Sequence, residues 1–251
     1  RGTGVIIGSD VERPGSWFCL VESDLIPSMV FALVPVKPLH LAKGRLASVM
    51  SAPERRALVL AMLGDVLAAL DATDAVSGMI VVSRDAEALA LAARLGASAL
   101  LDRSDGLNGA FAQAAAFAAQ CGASALLALP ADLPLAAPAE IAGLIAAGDG
   151  AGVALAPSRD GGTNGLYIAA QAALPFLFGP GSLARHVAAA WERGIAPRLF
   201  RSPGLELDVD RPADLLLLAE APGATAAQQL VRGLDLDARL AWSGAAYERC
   251  C

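Results

Sequence analysis

The chain has 251 residues, of which 55% are hydrophobic and 18% charged, and its formal net charge is −6. This composition excludes a chain that is disordered over most of its length, because disordered chains are poor in aliphatic residues. No uninterrupted run of about 18 apolar residues is present, which argues against a membrane helix. The acidic balance, without a basic run, argues against nucleic acid and anionic membranes as partners. We therefore expect a cytoplasmic protein that acts on small molecules.

The cysteines and histidines restrict the chemistry further. The four cysteines show neither the paired spacing of a zinc site nor a disulfide framework, and we expect them to be reduced thiols. The two histidines, His40 and His186, leave little room for a zinc site or a histidine-based triad. Each is expected to be a packed or solvent-exposed side chain rather than a catalyst.

The hydrophobic pattern divides the chain into an extension and one folded domain. Residues 1–28 have no clear period, and we expect a poorly ordered extension without a function. The folded domain is predicted over residues 29–251. There, apolar strands alternate with helices, which predicts an α/β fold with a doubly wound, mostly parallel sheet. Strands are predicted at 29–36, 78–83, 98–102, 125–130, 152–157, 163–169 and 198–202, and helices at 51–70, 85–95, 108–120, 138–147, 182–193 and 211–221.

The loop after the first predicted strand carries three cations. In sheets of this kind, ligands bind beyond the carboxyl ends of the strands. Lys37, Lys43 and Arg45 stand in this loop, and lysine and arginine side chains are suited to a polyphosphate. The loop matches neither the glycine-rich dinucleotide fingerprint nor the P-loop. The alternative is a solvated basic loop without a ligand.

Three carboxylates are candidate ligands of a metal ion. Asp132 lies between two prolines after the fourth strand, a position typical of a divalent metal ligand. Asp208 and Asp210, two residues apart in an extended segment, point to the same side and repel each other unless a cation lies between them. Two structural alternatives stay open: Asp132 caps the next turn, and Asp210 is the N-cap of a helix at Pro212.

Two glycine-rich turns are candidates for binding an anion. The segment 161–163 (Gly-Gly-Thr) allows backbone N–H groups to approach a ligand closely. The segment 179–182 (Gly-Pro-Gly-Ser) opens a helix, where free amides and the helix dipole favour a phosphate or carboxylate. The alternatives are an ordinary hairpin and an ordinary helix cap.

Taken in order, several segments resemble the CofC/FbiD guanylyltransferases of coenzyme F-420 biosynthesis. The match runs from about Met29 to Leu218 through PVKPLHLAKGRL, GLNGAF, LPADLPL, SRDGGTNGL, FGPGSLARH and LDVDRPADL. It implies a GT-A/MobA-like, Rossmann-type nucleotidyltransferase fold. It also implies a reaction in which a phosphorylated three-carbon acid attacks the α-phosphorus of GTP and expels pyrophosphate. Such an acid is already an anionic nucleophile, so no general base is needed.

The resemblance assigns roles to ten residues of this sequence. It implies nucleotide-binding and catalytic cations, a residue beside the base, ligands of Mg²⁺, and a site for the acid's carboxylate and phosphate built largely from backbone amides. Lys37, Lys43 and Arg45 are the nucleotide-binding and catalytic cations, and Asn108 is the residue beside the base. Asp132, Asp208 and Asp210 are the ligands of Mg²⁺, and Thr163, Gly179 and Ser182 form the site for the acid.

The substrates and partners follow from the same resemblance. Asn164 departs from the form that we associate with actinobacterial phosphoenolpyruvate enzymes, while the Ala/Leu-rich composition favours a bacterial member. We therefore expect 3-phospho-D-glycerate or phosphoenolpyruvate, with 2-phospho-L-lactate as the third option. A homodimer and contact with the downstream transferase of the pathway stay open. The alternatives are another NTP transferase of this fold, acting on molybdopterin or a sugar phosphate, and a nucleotide-binding module without turnover.

Overall fold

The computed structural model describes residues 29–247. The predicted extension at residues 1–28 lies outside this range, and so do Cys19, Cys250 and Cys251. Cys121 is an exposed free thiol. Within residues 29–247, no helix has both the length and the apolar character that a membrane crossing requires.

A seven-stranded sheet forms the centre of the fold. Its strands in chain order are β1 (Val30–Val36), β2 (Val76–Ser83), β3 (Ser98–Leu101), β4 (Ala125–Ala128), β5 (Val153–Pro157), β6 (Thr163–Ala169) and β7 (Arg198–Leu199). In space the order is β3-β2-β1-β4-β6-β5-β7. Strand β6 is antiparallel to both of its neighbours, and the other pairings are parallel. The predicted α/β class with a mostly parallel sheet is confirmed.

Helices connect the strands in most places. They are α1 (Ala52–Asp71), α2 (Ala86–Arg94), α3 (Gly106–Gln120), α4 (Pro138–Asp149), α5 (Ser182–Trp191), α6 (Pro203–Glu206), α7 (Pro212–Glu220), α8 (Ala226–Arg232) and α9 (Leu236–Tyr247). Short 3₁₀ turns cover Leu39–Leu41, Gly44–Leu46 and Ala170–Ala172. The sequence pattern placed most of these bounds within two residues.

The short helix α6 was not predicted, and several other elements differ from the prediction in their bounds. Helix α3 begins at Gly106, two residues before the predicted start at Asn108. Strand β7 has only two residues instead of the predicted 198–202, because the chain leaves the sheet before Pro203 begins α6. Proline is favoured in the first turn of a helix, where its missing N–H is not needed.

Helices cover both faces of the sheet, so there are two cores. Successive side chains of a strand point to opposite faces. In β1, Ala32 and Val34 therefore pack with α1, α4, α7 and α8, whereas Leu33 packs with α3 and α5. The residues of α1 that are spaced as one apolar face, including Leu58 and Met62, are fully buried, as their spacing predicts. This is the doubly wound arrangement.

The order of the strands fixes where a ligand can bind. From β1 the chain proceeds outward through β2 to β3, and then returns to place β4 on the other side of β1. The N–H group of Leu129, just after β4, donates to the Leu33 carbonyl at 3.0 Å, so β4 ends beside the middle of β1 and the two strands run in the same direction. Such a reversal in strand order leaves a crevice at the carboxyl ends of the strands.

Candidate active site

A cleft of about 270 Å³ opens at this reversal in strand order. Eight of the ten residues singled out in the sequence line it: Lys37, Lys43, Asp132, Thr163, Gly179, Ser182, Asp208 and Asp210. Arg45 lies at the rim, with its guanidinium 3.7 Å from a carboxylate oxygen of Asp210. Asn108 lies behind the loop that carries Gly179.

A backbone contact brings the two acidic segments together. The N–H group of Val209 donates to the Asp132 carbonyl at 3.1 Å, which places Asp208 and Asp210 beside Asp132. The alternative in which Asp210 caps the following helix is wrong. Arg211 is the N-cap of α7, and the carboxylate of Asp214 accepts the N–H groups of Asp210 and Arg211. The carboxylate of Asp210 is thus left to face the cleft.

Lys43 lies between two of these carboxylates. Its Nζ is 2.6 Å from Asp132 Oδ2 and 2.6 Å from Asp210 Oδ1, and its side chain is only 7% exposed. Burial by itself lowers the pKa of Lys43, but the charges and hydrogen bonds of the two carboxylates outweigh it and raise the pKa above its usual value. The ammonium therefore stays charged, and the predicted contact of Lys43 with a triphosphate remains a prediction.

The backbone of Lys43 is also unusual. Its φ of 53° lies in the left-handed region, which non-glycine residues adopt at a cost of about 1–2 kcal/mol. Strained residues of this kind persist where the surrounding contacts hold them, and they cluster at functional sites. Here the two ion pairs hold the side chain in the cleft.

Asp208 differs from its neighbours because it pairs with an amide instead of a cation. Asn164 Nδ2 donates to Asp208 Oδ1 at 3.2 Å and to the Leu205 carbonyl at 3.0 Å. Burial raises the pKa of Asp208, the hydrogen bond from Asn164 lowers it, and the negative charge of Asp132 raises it again, so that it stays above the usual value. A cation added to the cleft would therefore stabilise the charged form of Asp208 more than that of the other two carboxylates.

The three carboxylates offer hard oxygen ligands of the kind that Mg²⁺ prefers. They do not form a ready-made cage, because within residues 29–247 no group of three or more acidic, histidine or cysteine side chains is arranged to hold a metal ion. Mg²⁺, however, is usually bound by one or two carboxylates together with substrate phosphates. The ammonium of Lys43 between Asp132 and Asp210 shows that a cation fits there. The residues fit the ion, and their assignment as its ligands remains a prediction.

The opposite wall of the cleft is built from hydroxyl groups. The N–H group of Thr163 donates to Ser182 Oγ at 2.9 Å, and the N–H group of Ser182 donates to the Gly179 carbonyl at 3.0 Å. These two amides are therefore occupied, which corrects the expectation that they bind the acid. The hydroxyl groups of Thr163 and Ser182 are what this wall offers to a ligand.

His186 lies directly behind this wall and is fully buried. Its Nδ1 is 3.0 Å from Thr163 Oγ1, and its Nε2 accepts the N–H group of Leu177 at 2.9 Å. Burial, with a smaller contribution from the charge of Arg185, lowers the pKa of His186 to about 4. The packed position agrees with the expectation for His186, and His40 is exposed.

Gly179 has a conformation that the sequence did not predict. The proline that follows favours an extended backbone, yet Gly179 has a φ of +122°, which side-chain-bearing residues rarely adopt. A Cβ atom at this position would lie 3.4 Å from the Arg185 guanidinium. Gly181, with a φ of +67°, is the N-cap of α5. Both glycines are needed for the shape of this turn.

Asn108 holds the same turn from the other side. Its Nδ2 donates to the Phe178 carbonyl at 3.2 Å, and its Oδ1 accepts the Phe178 N–H group at 2.8 Å. The side-chain amide therefore fixes the loop before Gly179, and the predicted contact with a base remains a prediction. Next to it is a second cavity of about 240 Å³, which shares Pro35, Val36, Lys37 and Leu107 with the cleft.

Sequence reasoning missed the functional contacts of Asn164 and His186. Ser182 and His186 are four residues apart and so share one face of α5, and that spacing was the available signal for His186. Nothing in the sequence indicates that Asn164 binds Asp208, because the two residues are 44 positions apart.

Residues 30–248 match the family described as guanylyl transferase CofC like. The chain belongs to this family. Membership confirms the resemblance drawn from the sequence segments, and it identifies the protein as a nucleotidyltransferase of the guanylyltransferase class.

Individual members of the family are also similar along most of their length. The phosphoenolpyruvate guanylyltransferase of Roseiflexus sp. (strain RS-1) is 49% identical over 205 residues, covering 81% of this chain and 91% of the relative. That of Sphaerobacter thermophilus is 47% identical over 189 residues, with coverages of 75% and 91%. The 2-phospho-L-lactate guanylyltransferase of Methanocaldococcus jannaschii is 32% identical over 184 residues, with coverages of 73% and 79%.

Solved structures agree on the fold. A protein of Desulfovibrio desulfuricans G20, assigned to the nucleotide-diphospho-sugar transferases, superposes with a TM-score of 0.72 at 17% identity and covers 85% of this chain and 97% of its own. A nucleotidyl transferase from Methanothermobacter gives a TM-score of 0.54 at 18% identity, with coverages of 76% and 95%. At these identities the likeness concerns the fold alone, and it confirms the nucleotidyltransferase fold.

Proposed function

We propose that this protein transfers the guanylyl group of GTP to phosphoenolpyruvate or a closely related phosphorylated three-carbon acid, as a step of coenzyme F-420 biosynthesis. One observation carries the proposal. A single cleft has a cation–carboxylate cluster on one wall and two buried hydroxyl groups on the other. The first wall suits a triphosphate, and the second suits a small anion.

The reaction is balanced without a general base. A phosphate oxygen of the acid forms a bond to the α-phosphorus of GTP, and the bond from that phosphorus to the bridging oxygen of the pyrophosphate breaks. No proton has to be removed, because the attacking phosphate is already anionic. Catalysis then depends on holding the two substrates in line and on neutralising charge. Lys37 and Arg45 at the cleft, with Lys43, are the side chains that can do so.

Mg²⁺ is the metal that we propose for the acidic wall, with Asp132, Asp208 and Asp210 as the residues that would hold it. When bound, it would neutralise the charge of the triphosphate and orient the reacting phosphate. Asn164 keeps the Asp208 carboxylate directed into the cleft. Lys43 holds Asp132 and Asp210 together when the cleft contains no metal.

We place the base of GTP in the second cavity, at the start of α3. Its walls include the apolar side chains of Val82, Leu107 and Ala110, against which a flat base can pack. The exposed carboxylate of Asp105 also lines it. A carboxylate only accepts hydrogen bonds, so it suits the N–H groups of guanine. Asn108 lies beside this cavity in the first turn of α3, but its side-chain amide bonds Phe178 in the loop that lines the cleft.

The choice of acid is supported by the relatives. Those with 49% and 47% identity are named phosphoenolpyruvate guanylyltransferases, and the one with 32% identity acts on 2-phospho-L-lactate. 3-Phospho-D-glycerate remains the other option from the sequence. The family match favours guanylyl transfer over the molybdopterin and sugar-phosphate alternatives.

Pyrophosphate release tests the proposal directly. The protein is incubated with GTP, Mg²⁺ and one acid at a time: phosphoenolpyruvate, 3-phospho-D-glycerate or 2-phospho-L-lactate. We expect release that depends on both GTP and the acid, fastest with phosphoenolpyruvate, and much slower release with ATP. Turnover with a sugar 1-phosphate, but with none of the three acids, would contradict it.

A further inference from the structure

A chain of hydrogen bonds runs from the backbone through His186 to the cleft. The N–H group of Leu177 donates to His186 Nε2 at 2.9 Å, and His186 Nδ1 lies 3.0 Å from Thr163 Oγ1. The N–H group of Thr163 in turn donates to Ser182 Oγ at 2.9 Å. His186 is 0% exposed, Ser182 1% and Thr163 5%, so water does not compete for these bonds.

The bond from Leu177 fixes the positions of the protons in this chain of hydrogen bonds. A backbone N–H group can only donate, so Nε2 of His186 must present its lone pair to Leu177. A neutral imidazole carries one proton, which must then be on Nδ1. That proton points to Thr163 Oγ1, so His186 is the donor and the threonine hydroxyl is the acceptor in this bond.

This direction determines what the cleft offers. A hydroxyl group has one proton and two acceptor lone pairs. Because a lone pair of Thr163 is occupied by His186, the threonine proton is available for a ligand in the cleft. Ser182 is in the same state, since its oxygen already accepts the Thr163 N–H group. Both hydroxyl groups therefore act as donors toward the cleft, which favours an anion.

We propose that His186 is a positioning residue of the acceptor site, which as a neutral Nδ1–H imidazole fixes the Thr163 hydroxyl as a hydrogen-bond donor to the phosphorylated acid. The identity of this ligand rests on the proposed function, but the direction of the hydrogen bonds does not. The pKa of His186, lowered to about 4, agrees with a neutral ring at physiological pH.

Two substitutions separate the contacts of the ring. In His186→Asn, the amide nitrogen takes the position of Nδ1 and can still donate to Thr163, but the bond from Leu177 is lost. In His186→Gln, the amide oxygen takes the position of Nε2 and can still accept from Leu177, but the bond to Thr163 is lost. The two variants are therefore matched controls for each other.

We expect His186→Gln to raise the KM and the calorimetric Kd for phosphoenolpyruvate by about tenfold or more, the value of one hydrogen bond to a charged group. The KM for GTP and kcat should change by less than about threefold. His186→Asn should stay within about threefold of wild type for the acid. The opposite order of the two variants, or equal losses for both substrates, would overturn the proposal.

A double-mutant cycle tests whether His186 acts through Thr163. Thr163→Val removes the hydroxyl group and nearly preserves the shape of the side chain. If the effect of His186 passes through this hydroxyl, His186→Gln should weaken acid binding in the Thr163→Val background by no more than about twofold. Additive losses would show that His186 acts by another route and overturn the proposal.

A spectroscopic measurement is independent of turnover and of the variants' stability. The chain has two histidines, so the ¹⁵N resonances of His186 can be assigned in the wild-type protein by comparison with His40→Gln. We expect a protonated Nδ1 and an unprotonated Nε2 at pH 7. An Nε2–H tautomer or a charged ring would overturn the proposal. Absence of turnover with all three acids would instead refute the proposed function and leave this result unaffected.

Discussion

The two walls of the cleft are built on different physical principles. The wall that follows β1 and β4 consists of charged side chains, with Lys43 between Asp132 and Asp210. The wall formed by the start of β6 and the start of α5 consists of neutral groups, Thr163 and Ser182, held by buried hydrogen bonds. The charged wall acts through the sign of its charges, whereas the neutral wall depends on which group donates and which accepts in each hydrogen bond. Substitutions should therefore affect the two walls differently.

The largest effect is expected from the carboxylates of the charged wall. Asp132→Asn and Asp208→Asn should each reduce kcat more than about tenfold, because an amide is a poor ligand for Mg²⁺ and tenfold corresponds to only about 1.4 kcal/mol. Pyrophosphate release at limiting Mg²⁺ measures this. Asp149→Asn, at an exposed carboxylate in the last turn of α4, is the control and should retain full activity. If either site variant kept more than a tenth of the wild-type rate, the metal assignment would be wrong.

The neutral wall should respond to a change in backbone shape. Gly179→Val places a side chain at a φ of +122°, a strain that the backbone can relieve only by changing the shape of the turn. Because the Gly179 carbonyl accepts the Ser182 N–H group, this change would displace the Ser182 hydroxyl and should raise the KM for the acid by about tenfold or more, with little effect on GTP. Steady-state kinetics with each substrate varied measure it. Gly122→Val, at a φ of +84° with open space around it, is the matched control. It should lower stability similarly without changing either KM. A selective loss of GTP binding in Gly179→Val would place the substrates on the opposite walls.

Removing the cation of the charged wall tests whether Mg²⁺ can replace it. Lys43→Met leaves Asp132 and Asp210 to repel each other and should lower the free energy of unfolding by about 1–2 kcal/mol, less than for a fully buried pair because both carboxylates are partly exposed. Mg²⁺ should then raise the melting temperature of the variant more than that of the wild type. An equal rise in both proteins would argue against exchange of cations at this position.

The pH dependence of the free energy of unfolding tests His186, the buried histidine behind the neutral wall. The pKa of folded His186 is about 4, below the usual value of about 6.5 in the unfolded chain. Its contribution to stability is therefore fully present above pH 6.5, and it is lost as the pH falls toward 4, because the unfolded chain takes up a proton that the folded protein does not. Relative to His186→Asn, the wild type should lose about 1–2 kcal/mol between pH 7 and pH 5 in urea unfolding. A constant difference would mean that the ring titrates normally when folded.

Much of the fold could be predicted because its signals are local. The Ser51 hydroxyl and the Glu54 carboxylate form the capping box at the start of α1 that their spacing indicates. The same holds for the helical spacing of Leu58 and Met62 and for the apolar run of β1. The length of β7 could not be predicted, because it depends on how far the chain follows β5 before it turns into α6.

The residues that belong to the candidate site could be predicted from the sequence, but the bonds between them could not. The rule that ligands bind at strand ends located Lys43, Asp132 and Asp210, since each stands close to a predicted strand or turn. It could not show that Lys43 pairs with both carboxylates, because Asp210 is 167 positions away. Nor could it show that the Thr163 amide is already bonded to the Ser182 hydroxyl, because that depends on how α5 docks against β6.

The direction of β6 has a consequence for how this enzyme family can diversify. Within residues 29–247, β6 is the one strand that is antiparallel to its neighbours, so its first residues, and not its last, reach the cleft. The neutral wall is therefore supplied by a short hairpin turn and by one helix start, and surface turns tolerate sequence change better than the strands they connect. The charged wall combines residues that follow the central parallel strands β1 and β4 with Asp210, which the bond from Val209 to Asp132 brings beside them, and is less free to vary. Under the proposed function, a change in this one turn would alter the wall that faces the phosphorylated acid and leave the charged wall as it is.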